Sequence, residues 1–118
     1  MATITIKRVY EAPAETDGVR ILVDRLWPRG VSKEAAALDL WSKDIAPSPE
    51  LRKWFDHRPD RFEQFTQDYR DELAGNPAVE EVRARIGKSR ATLLYGARDP
   101  AVNHAVILAD YLRKARKK

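Results

Sequence analysis

The chain has 118 residues, 43% of them hydrophobic and 34% charged, with seven prolines, five glycines and no cysteine. That length predicts a single domain over 1–118, and the absence of thiols excludes a disulfide scaffold, a thiol nucleophile and a thiolate metal site. The formal net charge is +4, but five of the 22 basic residues fall in the last six positions, and without them 17 basic face 18 acidic groups.

Residues 3–9, TITIKRV, place Ile4 and Ile6 on one face between β-formers and predict a strand. EAPAETDG follows as a loop. Residues 19–26, VRILVDRL, hold the run Ile21-Leu22-Val23, which suits a central strand covered on both faces. Leu38, Trp41 and Ile45 recur at helical spacing and predict a helix that Pro47 closes.

Ser48-Pro49 reads as an N-cap followed by proline at the first helical position, with Leu51, Trp54 and Phe55 as the apolar stripe. His57 precedes Arg58-Pro59 and reads as a surface cap at that helix's end. Asp60 with Glu63 resembles a capping box, and Phe62, Phe65, Tyr69 and Leu73 continue as one stripe to Gly75. Asn76-Pro77 opens a helix bearing Val79, Val82 and Ile86, which Gly87 stops. Residues 91–96, ATLLYG, predict a third strand, and Asp99-Pro100 opens a last helix over about 100–115.

The order β, β, helices, β, α predicts an α/β fold: one domain with a small, mostly parallel three-stranded sheet covered by helices. In such sheets ligands sit beyond the carboxyl ends of the strands. Two segments qualify: DRLWPRG at 24–30 and YGARDPAVNH at 95–104. Trp27-Pro28-Arg29-Gly30 fits a type I turn that would aim Arg29 outward while Arg25 stands at the strand's end. Two guanidiniums suit a phosphate or carboxylate, and Asp24 beside them would instead make a structural ion pair. Trp27 reads as core or as a lid over this turn.

In the second segment Gly96 permits a tight turn and helix amides attract anions. Against that, Asp99 occupies those donors and Pro100 removes one, while Arg98 restores some positive charge. His104 is one turn from this loop on a mostly enclosed helix, and is the side chain there that titrates near neutrality. Either it is a hydrogen-bonded rim group, or it is a general acid or base. Two histidines 47 positions apart give no metal ligand set, and no phosphate-binding, dinucleotide or serine-nucleophile motif is present. No cofactor is expected.

Together KRVY at 7–10, DGVRILVDRLWPRG at 17–30, PSPELRKWF at 47–55, TLLYGARD at 92–99 and NHAVILADYL at 103–112 resemble the YeaO-like branch of the bacterial domain-of-unknown-function 488 family. The resemblance runs nearly end to end and implies a compact α/β domain without an assigned activity. Where the wider family carries a Cys-His-Arg triplet, this chain has Asn103-His104-Ala105. The histidine stays; the thiol and arginine do not.

Two functions follow as expectations. The first is a pocket for a small anionic, nucleotide-like ligand at the sheet's carboxyl edge. Arg25 and Arg29 would hold the anion with Arg8 and Arg98 nearby, Tyr95 and Asn103 would supply hydrogen bonds, and His104 would be the acid or base if chemistry occurs. The second is a non-enzymatic interaction module that docks protein or nucleic acid through Trp41, Trp54 and Phe55. The basic tail at about 113–118 predicts weak, non-specific nucleic-acid contact. Apolar runs of a few residues cannot span a bilayer, and MATITIKRVY lacks a signal-peptide core. A cytoplasmic protein with no membrane partner is expected.

Overall fold

A computed structural model describes residues 3–114. Strands β1 (Thr3–Arg8), β2 (Val19–Leu22), β3 (Leu40–Trp41) and β4 (Arg90–Tyr95) form one sheet in the order β1-β4-β2-β3. All pairings are parallel. The helices are α1 (Lys33–Ala36), α2 (Pro49–Phe55), α3 (Phe62–Ala74), α4 (Ala78–Ile86) and α5 (His104–Lys114).

The unbroken apolar runs have a physical counterpart in the two central strands. On one face Ile21, Val23, Ala91, Leu93 and Tyr95 pack with the stripes of α2 to α5. On the other, Leu22 and Leu94 pack with Val9, Ala36, Trp27 and Trp41. Residues of a strand alternate between faces, so a run with no polar interruption requires cover on both sides.

The sheet has four strands, not three. The fourth lies inside the segment 38–45 that the spacing assigns to a helix. Leu40 and Trp41 instead pair with Ile21 and Leu22, and a 3₁₀ turn, Lys43–Ile45, follows. Two residues are too few to show strand periodicity, and only the partner strand defines them. The Trp41 indole donates to the Asp24 carbonyl at 2.8 Å, while the Asp39 carboxylate accepts from the Arg20 amide at 2.9 Å.

Two helix starts also differ. A 3₁₀ turn, Pro59–Arg61, leads into α3, and Asp60 pairs with Arg58 rather than boxing the helix. Helix α5 begins at His104, not near 100. The Asp99 carboxylate takes the amides of Ala101 and Val102 into its own turn. Asn103 then caps the helix, its side-chain oxygen accepting from Val106 N–H at 3.1 Å. Of the basic segment 113–118, Arg113 and Lys114 belong to α5; positions 115–118 lie outside the described residues. Among the described residues no helix is long and apolar enough to cross a membrane.

Candidate functional site

Because every strand runs the same way, their carboxyl ends share one edge. Asp24, two residues beyond β2, ties that edge together. Its Oδ2 accepts from the Gly96 amide, just beyond β4, at 2.9 Å. A Cβ on Gly96 would sit 3.1 Å from that oxygen, so a glycine keeps the approach open. Its Oδ1 lies 3.3 Å from His104 Nε2, and the same nitrogen is 2.9 Å from the Val23 carbonyl.

His104 therefore stands on the first turn of α5 with its Nε2 bonded to the Val23 carbonyl, and Asp24 Oδ1, buried without a hydrogen-bond partner among the described residues, lies close by. Its side chain is 16% exposed, and the Tyr69 ring meets it edge-on at 6.1 Å. Burial pushes its pKa below the usual histidine value; Asp24 and the Val23 carbonyl oppose this, while Arg52 and His57 add to it.

His104 lines a cleft of about 320 Å³ between α2 and the β4–α5 connection. Asn103 and Ala97 form the wall beside it, Pro47, Pro49 and Phe55 give apolar surface, and Arg52, Lys53, Asp56 and His57 complete the rim. Both basic residues stand in the last turn of α2. Among the described residues neither is engaged in an ion pair. The rim's backbone turns through two successive left-handed residues, Asp56 (φ 50) and His57 (φ 54). Such conformations cost on the order of 1–3 kcal/mol each for residues other than glycine. Local hydrogen bonds hold them: Asp56 N–H donates to the Arg52 carbonyl and Arg58 N–H to that of Phe55, each at 3.0 Å.

The residues singled out in the sequence divide. His104 and Asn103 line the cleft, and Asp24 backs it through His104. Asn103 is buried, its side-chain amide donating to the Asp99 carbonyl at 2.7 Å. Arg25 lies behind the wall: it donates to the Ala46 and Pro47 carbonyls, each at 3.3 Å, and so fixes the turn that carries Pro47. Its charge meets Asp44 at 3.8 Å, not Asp24.

Arg29 is exposed on the turn beside Gly30 (φ 77) and does not line this cleft. Arg8 donates to the Ala97 carbonyl at 2.8 Å and lies over the Tyr10 ring. Tyr95 is buried beneath the sheet edge, and burial raises its pKa, with Glu11 adding to the effect. Arg98 lines a neighbouring hollow with Asp99 and His57.

Arg52, Lys53 and the cleft-facing place of His57 are absent from the sequence reading. Their signal was PSPELRKWF, whose apolar stripe draws attention while its two cations look like ordinary helix-end charge. Of the aromatics offered as a docking surface, Phe55 is core, stacked on Phe65 at 4.0 Å. Trp41 packs edge-on with Trp27 at 5.3 Å. Trp54 is exposed, covered on one side by Arg61. Among the described residues no group of three or more His, Asp or Glu side chains is arranged to hold a metal ion.

A family model described as the inactive DUF488-N3 subclade matches residues 3–118. The chain is 48% identical over 111 residues to an uncharacterized protein of Escherichia coli, YeaO, covering 93% of this chain and 96% of that one. It is 42% identical over 109 residues to an uncharacterized protein of Mycobacterium tuberculosis, covering 92% of each. No solved structure matches the chain.

Proposed function

The chain belongs to the YeaO-like DUF488 family, in its inactive DUF488-N3 subclade, and on that premise we propose that it binds a small anionic ligand at the carboxyl edge of its sheet. The observation that carries this reading is the pair of cations Arg52 and Lys53, without an ion-pair partner among the described residues, on the rim of one cleft whose inner wall is His104. Ligand sites of open parallel sheets lie at this edge, and the volume is at the lower end of the roughly 300–1,000 Å³ of small-molecule pockets. The description of the subclade as inactive favours binding over turnover, and among the described residues the cleft lining holds no hydroxyl or thiol nucleophile.

Arg52 and Lys53 are exposed, so their contribution is that of charges in water and falls with added salt. Calorimetric titration with inorganic phosphate and with phosphate monoesters tests the reading. Arg52→Ala and Lys53→Ala are each expected to weaken binding about tenfold, or about 1.4 kcal/mol, while Arg29→Ala leaves it unchanged. Absence of binding by every anion, or loss with Arg29→Ala and not with Arg52→Ala, overturns it.

A further inference from the structure

His104 narrows the class of ligand. Its Nε2 faces only acceptors, the Val23 carbonyl at 2.9 Å and Asp24 Oδ1 at 3.3 Å. A carbonyl oxygen only accepts, so the nitrogen bonded to it carries the hydrogen. The other ring nitrogen, Nδ1, has no hydrogen-bond partner among the described residues and belongs to a side chain that lines the cleft.

The charged and titratable groups around the ring come from three elements. Asp24 stands beyond β2, Arg52 and His57 lie along and just after α2, and Tyr69 projects from α3 with its hydroxyl given to the Ile45 carbonyl at 2.7 Å. Burial, with the two basic neighbours, outweighs Asp24 and the Val23 carbonyl and lowers the ring's pKa, which favours the neutral form. A neutral ring with its hydrogen on Nε2 shows a lone pair at Nδ1, and a bare anion would set its own lone pairs against it.

Resting on the anion-binding reading above, we infer that the ligand is a phosphorylated polyol, its phosphate held by Arg52 and Lys53 while a hydroxyl close to the phosphate donates to His104 Nδ1. The apolar surface of Pro47 and Pro49 in the same lining suits the C–H side of such a skeleton, which phosphate alone would leave uncovered.

The test compares sn-glycerol 3-phosphate with n-propyl phosphate, which share an anion and a carbon chain and differ in two hydroxyls. On the full chain at pH 7.5 and fixed salt, calorimetry is expected to give at least tenfold tighter binding of the glycerol ester. In His104→Phe the ratio of the two affinities, whatever their absolute values, is expected to fall to under twofold. Equal affinities in the unsubstituted protein overturn this inference and leave the anion reading standing; failure of both esters to bind sinks the two together.

Nitrogen-15 NMR of the unsubstituted protein gives a second measurement that does not depend on the variant folding. A neutral ring whose Nδ1 resonance moves on adding glycerol 3-phosphate, in the sense of an accepted hydrogen bond, supports the inference. Conversion to an imidazolium in the complex overturns it.

Discussion

Gly18 shows how one missing carbon decides local structure. Its φ of 68 lies in the left-handed region, and a Cβ there would sit 2.1 Å from the Arg90 carbonyl oxygen. That clash sets a fixed Cβ against a backbone atom at the start of the adjacent strand, so no rotamer relieves it. Gly18→Ala is expected to cost about 3 kcal/mol or more, lowering Tm by roughly 10 °C. Gly30 has the same kind of φ but nothing within 4 Å of its Cβ position, so Gly30→Ala should cost only about 1–2 kcal/mol. Denaturant melts of the two variants check the difference.

The neighbouring Asp17 is a buried charge with a full set of donors. Ala14 N–H and Lys7 Nζ donate to it, each at 2.9 Å, and Arg20 joins through Nη1. Burial alone would raise its pKa; the hydrogen bonds from Ala14, Lys7 and Arg20 outweigh that and leave it below the ordinary value. The stabilisation is therefore complete above the unfolded pKa of about 3.9 and is lost as pH falls through the lower folded value. Urea midpoints should fall steeply below about pH 4, and this acid limb should flatten in Asp17→Asn. At pH 7 that variant is expected to lose about 3–5 kcal/mol, because Arg20 stays buried without its partner.

At the scale of elements, helix α2 matters most because it carries the cleft's cations. Its start is strongly specified: Ser48 Oγ accepts from Leu51 N–H at 3.2 Å and Pro49 follows. The same hydroxyl donates to Glu72 Oε2 of α3 at 2.6 Å, and Ser48 N–H donates to Oε1 at 2.9 Å. The cap thus also joins two helices. Ser48→Ala is expected to cost about 1–2 kcal/mol and to weaken phosphate binding, since α2 would lose its fixed start; melting and titration of one sample test both. A similar device holds α1. Its four residues are too few to persist alone, and the buried Arg20 guanidinium donates to the Ala36 and Ala37 carbonyls at its end.

Over the whole molecule, the two faces of the sheet share the side chains of the same short strands. Ile21 and Leu22 are adjacent residues of β2 that enter opposite clusters, as are Leu93 and Leu94 of β4. Neither face can loosen without disturbing the other. In a Trp54→Phe background, tryptophan fluorescence, reporting the Trp27–Trp41 pair on one face, and far-ultraviolet circular dichroism, reporting helices mainly on the other, are expected to give coincident urea transitions. Two separated midpoints would mean that the faces unfold independently.

The residues alone predict an α/β class with a mostly parallel sheet, central strands over 19–26 and 91–96 that the structure shortens to 19–22 and shifts to 90–95, the Ser48 cap at the start of α2, and a single edge where the strands end. Each rests on a local signal: an unbroken apolar run, a capping serine with proline after it, or the rule that parallel strands end together. The family resemblance was legible in the same segments. The fourth strand is invisible in the chain, because two residues hold no period and Leu40–Trp41 exists through pairing with β2. The folded arrangement also decides which cations meet His104. Arg29 is near the strand end along the chain, yet the cleft takes Arg52 and Lys53 from α2, about fifty positions before His104. Distance along the chain carries no information about such a meeting; it follows from how α2 and α5 pack against the same sheet edge.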